Sequence, residues 1–413
     1  MDSGWDDAEL RAEVKALRRR VTHGSAPSAA TLKTLKPLAS RRTSAKKKKA
    51  VQAAMKARKK RRPYHTARAT SWLTCKLSGN KPIRLGTECS GLESVMVALN
   101  MMTSRTELEF ICEKDPAARR LILAHTSPKH VYEDITTRLV DSMPFCDVYV
   151  SGFPCQPWST AGLSKGIDDR HGRGCIFPYI HEYIKTKLPK CFVLENVKGF
   201  TNAKHKDAFA NVLKSLRSGL GDQYMVSWRV VNTADYGLPQ NRPRLYIVGM
   251  LRVAIQDQNR FKWPRPVGCV PLASLLETGV NSENYQPTRG TTSMRNLRMM
   301  LRRQANADPS MHPQCLDVLA SKKRAAEAQP MTGMVPCLTR TRAGSGGYWV
   351  TGVNRLLTTH EMLRLQGLPQ QFVEYATSAN VSDRQLRQMI GNGMSVNVLV
   401  AILSRLLPAV GLG

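Results

Sequence analysis

None of the ten cysteines in this 413-residue chain forms a C-x-x-C pair. The spacing that a structural zinc site or a compact redox motif requires is therefore missing, and no metal is expected. Several cysteines lie inside apolar runs, where the residue behaves as a small hydrophobe. This argues against a disulfide framework and for a reducing compartment. No apolar run is long enough to span a bilayer, and the opening Met1-Asp-Ser-Gly-Trp-Asp-Asp7 lacks the basic start and apolar centre of a secretory signal. The expectation is a soluble, cytosolic or nuclear protein with no membrane partner. Internal repeats are absent too. Acidic residues are scarce, 31 Asp and Glu against 62 Lys and Arg, for a net charge of +31. Such an excess selects a polyanionic partner, most commonly nucleic acid.

What is present is enough apolar residue, 42% of the chain, to bury a full-sized core. The charge is spread unevenly. Residues 1–81 hold 22 Lys and Arg against 5 Asp and Glu. A short helix is expected over 6–21, with Leu10, Val14, Leu17 and Val21 on one stripe. Beyond it the composition turns to Ala, Ser, Thr, Lys and Arg, with clusters at Lys46-Lys-Lys-Lys49 and Lys59-Lys-Arg-Arg62. Residues 1–75 thus read as a largely disordered basic arm that contacts nucleic acid, with a solvated tail as the bland alternative. The two clusters would also serve as a nuclear import signal in a eukaryotic cell; otherwise the protein is expected in the cytoplasm.

From residue 81 short apolar strands alternate with helical patterns. Ile83-Arg-Leu85 leads into a loop and a helix through Val95, Leu99 and Met102. Leu108-Glu-Phe-Ile-Cys112 ends on Glu113, and Asp115 with Pro116 opens a second helix. Further strands are expected at 131–135, 147–150, 191–194, 225–231 and 245–250, with helices at 176–187 and 206–217. This alternation predicts an α/β fold with a parallel or mixed sheet covered on both faces. Between 252 and 354 the pattern dissolves into Pro-, Gly-, Asn- and Thr-rich sequence, read as a smaller irregular domain. Helices return at 358–366 and 395–407.

Ser151-Gly-Phe-Pro-Cys-Gln-Pro-Trp-Ser159 places a thiol, Cys155, just after a buried strand, and Glu195 follows the next one. A parallel sheet would bring both to one edge, where ligands bind in open α/β folds. A thiolate beside an acid suits covalent attack on an electron-poor ring while the acid hydrogen-bonds or protonates that ring. Gln240-Asn-Arg-Pro-Arg244 could add Arg242 and Arg244 to the same edge, favouring a thiolate or holding an anion. Packing for Cys155, helix capping for Glu195 and surface pairing for the arginines are the bland alternatives. Several reaction classes stay open at this point.

Taken in order, Gly152-Phe-Pro-Cys-Gln156, Glu195-Asn-Val197, Gln240-Asn-Arg-Pro-Arg244, Arg355-Leu-Leu-Thr358, Leu365-Gln-Gly-Leu-Pro369 and Gly391-Asn-Gly393 closely resemble the cytosine-5 DNA methyltransferases that use S-adenosylmethionine. The resemblance runs from about residue 81 to the C-terminus. It implies a Rossmann-like methyltransferase fold with a mostly parallel seven-stranded sheet: a catalytic domain over 81–251, a target-recognition domain over 252–354, and a segment over 355–413 that completes the catalytic domain. It also implies that Cys155 attacks carbon 6 of a flipped-out cytosine, that Glu195 engages ring nitrogen 3, and that Arg244, supported by Arg242, steadies the ring carbonyl. S-adenosylmethionine would lie against Cys89, Ser90, Gly91 and Leu92, with Glu113 on its ribose, Asp134 and Ile135 near its adenine, and further contacts at Pro154 and Asn392. Cys89, Glu93 and Ser94 stand where the family more often has an aromatic residue and glycines. The implied partner is double-stranded DNA. A related enzyme acting on transfer RNA, and a catalytically silent nucleic-acid-binding regulator, are the alternatives.

Overall fold

Seven strands form one sheet: β1 (Ile83–Glu88), β2 (Thr106–Cys112), β3 (His130–Tyr132), β4 (Val148–Ser151), β5 (Cys191–Val197), β6 (Tyr224–Asn232) and β7 (Pro243–Leu251). Their spatial order is 3-2-1-4-5-7-6. The first five are parallel, and β7 runs antiparallel between β5 and β6. The computed structural model describes residues 76–153, 176–256, 261–302, 313–321 and 330–413. The readings made above on the helix at 6–21, the basic arm, Pro154 and Cys155 lie outside them.

The period-2 geometry of a strand sends neighbouring residues to opposite faces, and both faces here are apolar. Val148, Val150, Val193 and Val248 join one core cluster, with α1 (Ser94–Met102) and α2 (Pro116–His125). Tyr149, Phe192, Leu194, Leu245 and Ile247 face the other way, against α3 (Phe177–Lys187) and α4 (Lys206–Leu216). The α2 start follows its sequence signals: Pro116 occupies the first turn, and Asp115 Oδ1 accepts the Ala117 N–H at 2.9 Å. Close approach also sets composition. Gly249 pairs with Phe192 across β7 and β5, and a Cβ there would lie 2.1 Å from the Phe192 ring.

Residues 252–354 are more regular than the sequence suggested. They contain α5 (Thr292–Arg302) and most of an antiparallel sheet of β8 (Gln314–Asp317), β9 (Met331–Thr332), β10 (Tyr348–Val350) and β11 (Arg355–Leu356), ordered 9-8-10-11. These strands are two to four residues long, too short for alternation to register in composition. Leu297, Met300, Leu316, Val318 and Trp349 form a small core of their own. Cys315, Val335, Leu338, Tyr348 and Val350 instead join the main one.

The C-terminal part is helical: α6 (Arg340–Gly344), α7 (Thr359–Gln366), α8 (Phe372–Ser378), α9 (Asp383–Asn392) and α10 (Val396–Ala409). Thr358 and Glu361 close a capping box on α7, and Gly367 ends that helix in the left-handed region. The third strand is another correction. It covers 130–132 rather than 131–135, so Asp134 and Ile135 follow it in a turn. That turn is tied down from beneath, because Arg138 is fully buried, bonds both carboxylate oxygens of Glu88, and donates to the Tyr179 carbonyl at 2.7 Å.

Candidate active site

Beside β1 the strand order reverses: the chain passes from β1 to β2 on one side, while β4 and β5 lie on the other. Such a point opens a crevice outside the carboxyl ends of the strands. A cleft of about 990 Å³ lies there, lined by Cys89, Gly91, Glu113, Asp134, Ile135, Glu195, Arg242, Arg244 and Asn392 among others. Residues more than 300 positions apart in the chain thus converge on one cleft. Ser90 and Leu92 do not line it. The Ser90 hydroxyl lies 2.7 Å from that of Thr87, and Leu92 is buried in the core.

At one end of the cleft the Glu113 carboxylate is held by two backbone N–H groups, Gly91 on Oε2 at 2.8 Å and Asp115 on Oε1 at 2.9 Å. A carboxylate offers about four lone-pair sites, so capacity remains for hydroxyl donors. Burial pushes the Glu113 carboxyl up, and the backbone donors oppose that shift. Gly91 has φ +59°, and a Cβ on it would meet nothing within 4 Å, leaving open space over its backbone. Cys89 and Glu93 also adopt positive φ, 53° and 55°, which costs side-chain-bearing residues more than glycine. The turn is steadied by the Thr87 hydroxyl, which donates to Glu93 Oε2 at 2.6 Å. Desolvation pushes this carboxyl up to about 7. Asp134 Oδ1 accepts from the Thr136 N–H and hydroxyl, while Oδ2 pairs with Lys114 at 2.7 Å. The Lys114 side chain is 82% exposed, so this pair can open at little cost.

At the other end Glu195 lies within β5 rather than past its end, opposite Tyr246 of β7. Its Oε1 is 3.1 Å from Arg244 Nε, with both side chains mostly buried. Burial raises the Glu195 carboxyl, while Arg244 and Arg242 pull it back. Adjacent parallel β4 brings Gly152 close: a Cβ there would lie 3.7 Å from Glu195 Oε2. The segment leading to Cys155 therefore starts beside Glu195. Arg242 plays a different part from Arg244. Its guanidinium donates to the Leu338 carbonyl, to Gly391 O at 3.2 Å and to Gly393 O at 2.7 Å. From its place just before β7 it acts as a clamp on Leu338 and the end of α9.

Three further residues at or beside the cleft were not singled out from the sequence. Phe153 and Arg340 line the cleft. Cys337 Sγ lies 3.4 Å from Arg242 Nη1 and 3.3 Å from Arg244 Nη2. Phe153 was within reach of sequence reasoning, since it belongs to the same block as Cys155. The other two sit in the stretch where no periodicity guided placement.

The family model for the C-5 cytosine-specific DNA methylases matches residues 88–407. The chain belongs to this family. As a methylase of this kind it transfers a methyl group to carbon 5 of cytosine in DNA. It is 36% identical to the type II methyltransferase M.NgoBI of Neisseria gonorrhoeae, over 80% of this chain and 92% of that protein. It is 33% identical to M.HaeII of Haemophilus aegyptius, over 78% and 87%. Solved structures share the methyltransferase fold at low identity. The S. pombe Dnmt2 methyltransferase superposes with a TM-score of 0.54 at 17% identity, over 79% of this chain and 99% of that one. The Entamoeba histolytica methyltransferase EhMeth gives 0.56 at 16%, over 80% and 99%. The α/β, mostly parallel seven-stranded architecture is accordingly the Rossmann-like fold of this family.

Proposed function

We propose that the methylase works by covalent addition of Cys155 to carbon 6 of a flipped-out cytosine, with Glu195 at ring nitrogen 3 and Arg244 at the ring carbonyl. The observation that carries this reading is the 3.1 Å contact of Glu195 with Arg244 at the edge where the Cys155 segment leaves β4. Carbon 5 is a poor nucleophile until addition at carbon 6 pushes electron density onto it. Glu195, raised by burial, can hold a proton and share it with nitrogen 3 as negative charge develops in the ring. Arg244 fixes the Glu195 carboxyl, and its positive charge steadies the carbonyl as negative charge develops there. Once carbon 5 carries the methyl group, a base removes its proton, the thiolate of Cys155 leaves, the double bond between carbons 5 and 6 re-forms and nitrogen 3 gives back its proton.

S-adenosylmethionine fits the other end of the cleft, where it supplies the methyl group when bound. Glu113 is suited to ribose hydroxyls, the open backbone at Gly91 to the methionine part, and Asp134 with Ile135 to the adenine, with Cys89 and Asn392 on the adjoining walls. Pro154 is assigned to the same site on sequence grounds. Residues 252–354 read the target. In support, α5 turns Leu297 and Met300 inward and carries Arg295, Arg298 and Arg302 around a surface groove, a suitable footprint for phosphates.

The test offers duplex DNA and, separately, transfer RNA, each with 5-fluorocytosine in place of cytosine, together with labelled S-adenosylmethionine. Fluorine cannot leave as a proton, so a working enzyme stays attached. A covalent adduct with DNA is expected, and none from Cys155→Ser. An adduct formed by that variant, or none from a folded wild-type protein, would sink the reading.

A further inference from the structure

Glu88 and Arg138 form an ion pair that the mechanism above does not use. Both side chains are fully buried. Arg138 bonds Glu88 through Nε to Oε1 and through Nη2 to Oε2, the latter at 3.2 Å, and the Tyr149 hydroxyl donates to Oε2 as well. The pair lies among the aromatic rings of the core on that face of the sheet, with the Tyr183 centroid 6.0 Å from the guanidinium. In such a setting an ion pair adds little stability that apolar side chains of the same volume would not, while its fork fixes two chain segments against each other. Glu88 ends β1, in register with Cys112 of β2 and Ser151 of β4. The residues that follow these three, Cys89, Glu113 and Gly152, all line the cleft, so Glu88 sits on the last rung beneath its floor. Arg138 closes the turn after β3: its N–H and that of Thr137 both donate to the Asp134 carbonyl at 3.2 Å, and Asp134, Ile135 and Thr136 form one wall. Nη2 of the same guanidinium donates to the Tyr179 carbonyl at 2.7 Å. Tyr179 in turn donates its N–H to Ile176, just before α3 and on the cleft lining. One side chain thereby ties together the strand ends, the turn after β3 and the start of α3.

Resting on the reading that places adenine against Asp134 and Ile135, we propose that Arg138, seated on Glu88, is a positioning residue for S-adenosylmethionine: it sets the separation between the 134–136 turn and the strand ends, and so the width of the slot that takes the adenine ring. Neither side chain reaches the cleft itself, since both are fully buried beneath it. A planar ring gains most from walls already held at the right distance, because a wall free to shift must be ordered as part of binding, at a cost in affinity. Lysine in place of Arg138 would keep the charge and lose the planar fork that reaches Glu88 and the Tyr179 carbonyl together.

The test compares the full-length wild type with Arg138→Lys and with the neutral double variant E88Q/R138M, which leaves no unpaired buried charge. Equilibrium dialysis with labelled S-adenosylmethionine should give a Kd raised about tenfold in the double variant, with a smaller rise in Arg138→Lys. The same factors should appear for 5′-methylthioadenosine, which keeps the adenosine and lacks the amino-acid end. In steady state the KM for S-adenosylmethionine should rise while kcat at saturation changes little. A pair that serves stability alone would lower Tm and leave Kd and KM as in wild type, and that result overturns the proposal. So does a loss confined to S-adenosylmethionine, since the effect would then lie at the methionine end. Ile135→Ala, made alongside, tests the adenine reading directly. If it binds S-adenosylmethionine as wild type does, that reading falls and the proposal with it; if it binds weakly while the double variant binds normally, the reading stands and only the role of the pair is lost.

Discussion

Glu195 is pulled two ways: desolvation favours its neutral form, and two guanidiniums favour its anion. A group so balanced can exchange a proton with a ring nitrogen, which a fully exposed or fully ion-paired carboxylate does poorly. Glu195→Gln should therefore lower kcat by roughly 10²–10⁴ in a variant whose circular dichroism matches wild type; a loss under tenfold would remove Glu195 from the proton transfer. The place of Glu195 at the cleft was legible in the sequence alone, because two apolar runs, 147–150 and 191–194, lead toward Cys155 and Glu195 and neighbouring parallel strands share an edge. Arg244 was legible through its motif. The separation of its role from that of Arg242 was not, since the acceptors of Arg242 are main-chain carbonyls and a carbonyl has no signature in composition. Cys337 escaped for a related reason: its place is fixed by a two-residue bridge to Gln240–Asn241, too short to read as a strand.

Among the elements, those marked by an apolar run were foreseen, and α5, α8 and α9, which carry mixed polar sequence, were not. Strands β1, β2 and β4 to β7 follow apolar runs, whereas α8 and α9 went unread, joined as they are by a brief turn through Asn380 at φ 52°. Two expectations belong at this scale. His125, at the end of α2, lies against Phe372 and Tyr375 of α8 at ring distances of 4.7 and 5.7 Å, and desolvation lowers it to about 4. The unfolded chain binds that proton near pH 6.5 and the folded one does not. Stability is thus fully present above pH 6.5 and falls as pH drops toward 4, by at most about 1.4 kcal/mol per unit. Urea titrations of wild type and His125→Phe over this range should diverge, and parallel curves would refute the assignment. The second concerns Gly391 on α9, where a Cβ would sit 2.5–2.6 Å from the backbone of Thr339 and Arg340. Gly391→Ala should cost about 1–3 kcal/mol by overpacking, measured by chemical denaturation. It should also weaken S-adenosylmethionine binding, because Arg340 and Asn392 both line the cleft; unchanged affinity would separate the helix contact from the cleft.

At the scale of the whole molecule, charge is the governing quantity. The net +31 is shared between the first 81 residues and the rest of the chain, so DNA attraction has two sources with different salt signatures. Deleting residues 1–71 should lower DNA affinity and flatten the slope of log K against log salt, while kcat at saturating DNA stays close to wild type. An unchanged slope would take the arm out of binding. The clamp at Arg242 has a consequence for how the molecule comes into being. Its acceptors lie 96, 149 and 151 residues further along the chain, so a nascent polypeptide lacks the full set of partners for this guanidinium until the end of α9 has been made. The sheet can be nearly complete by then, but its reactive edge cannot be. A chain ended before Gly391 therefore lacks two of the three carbonyls that anchor Arg242, and its activity is expected to fall even where most of the sheet has formed.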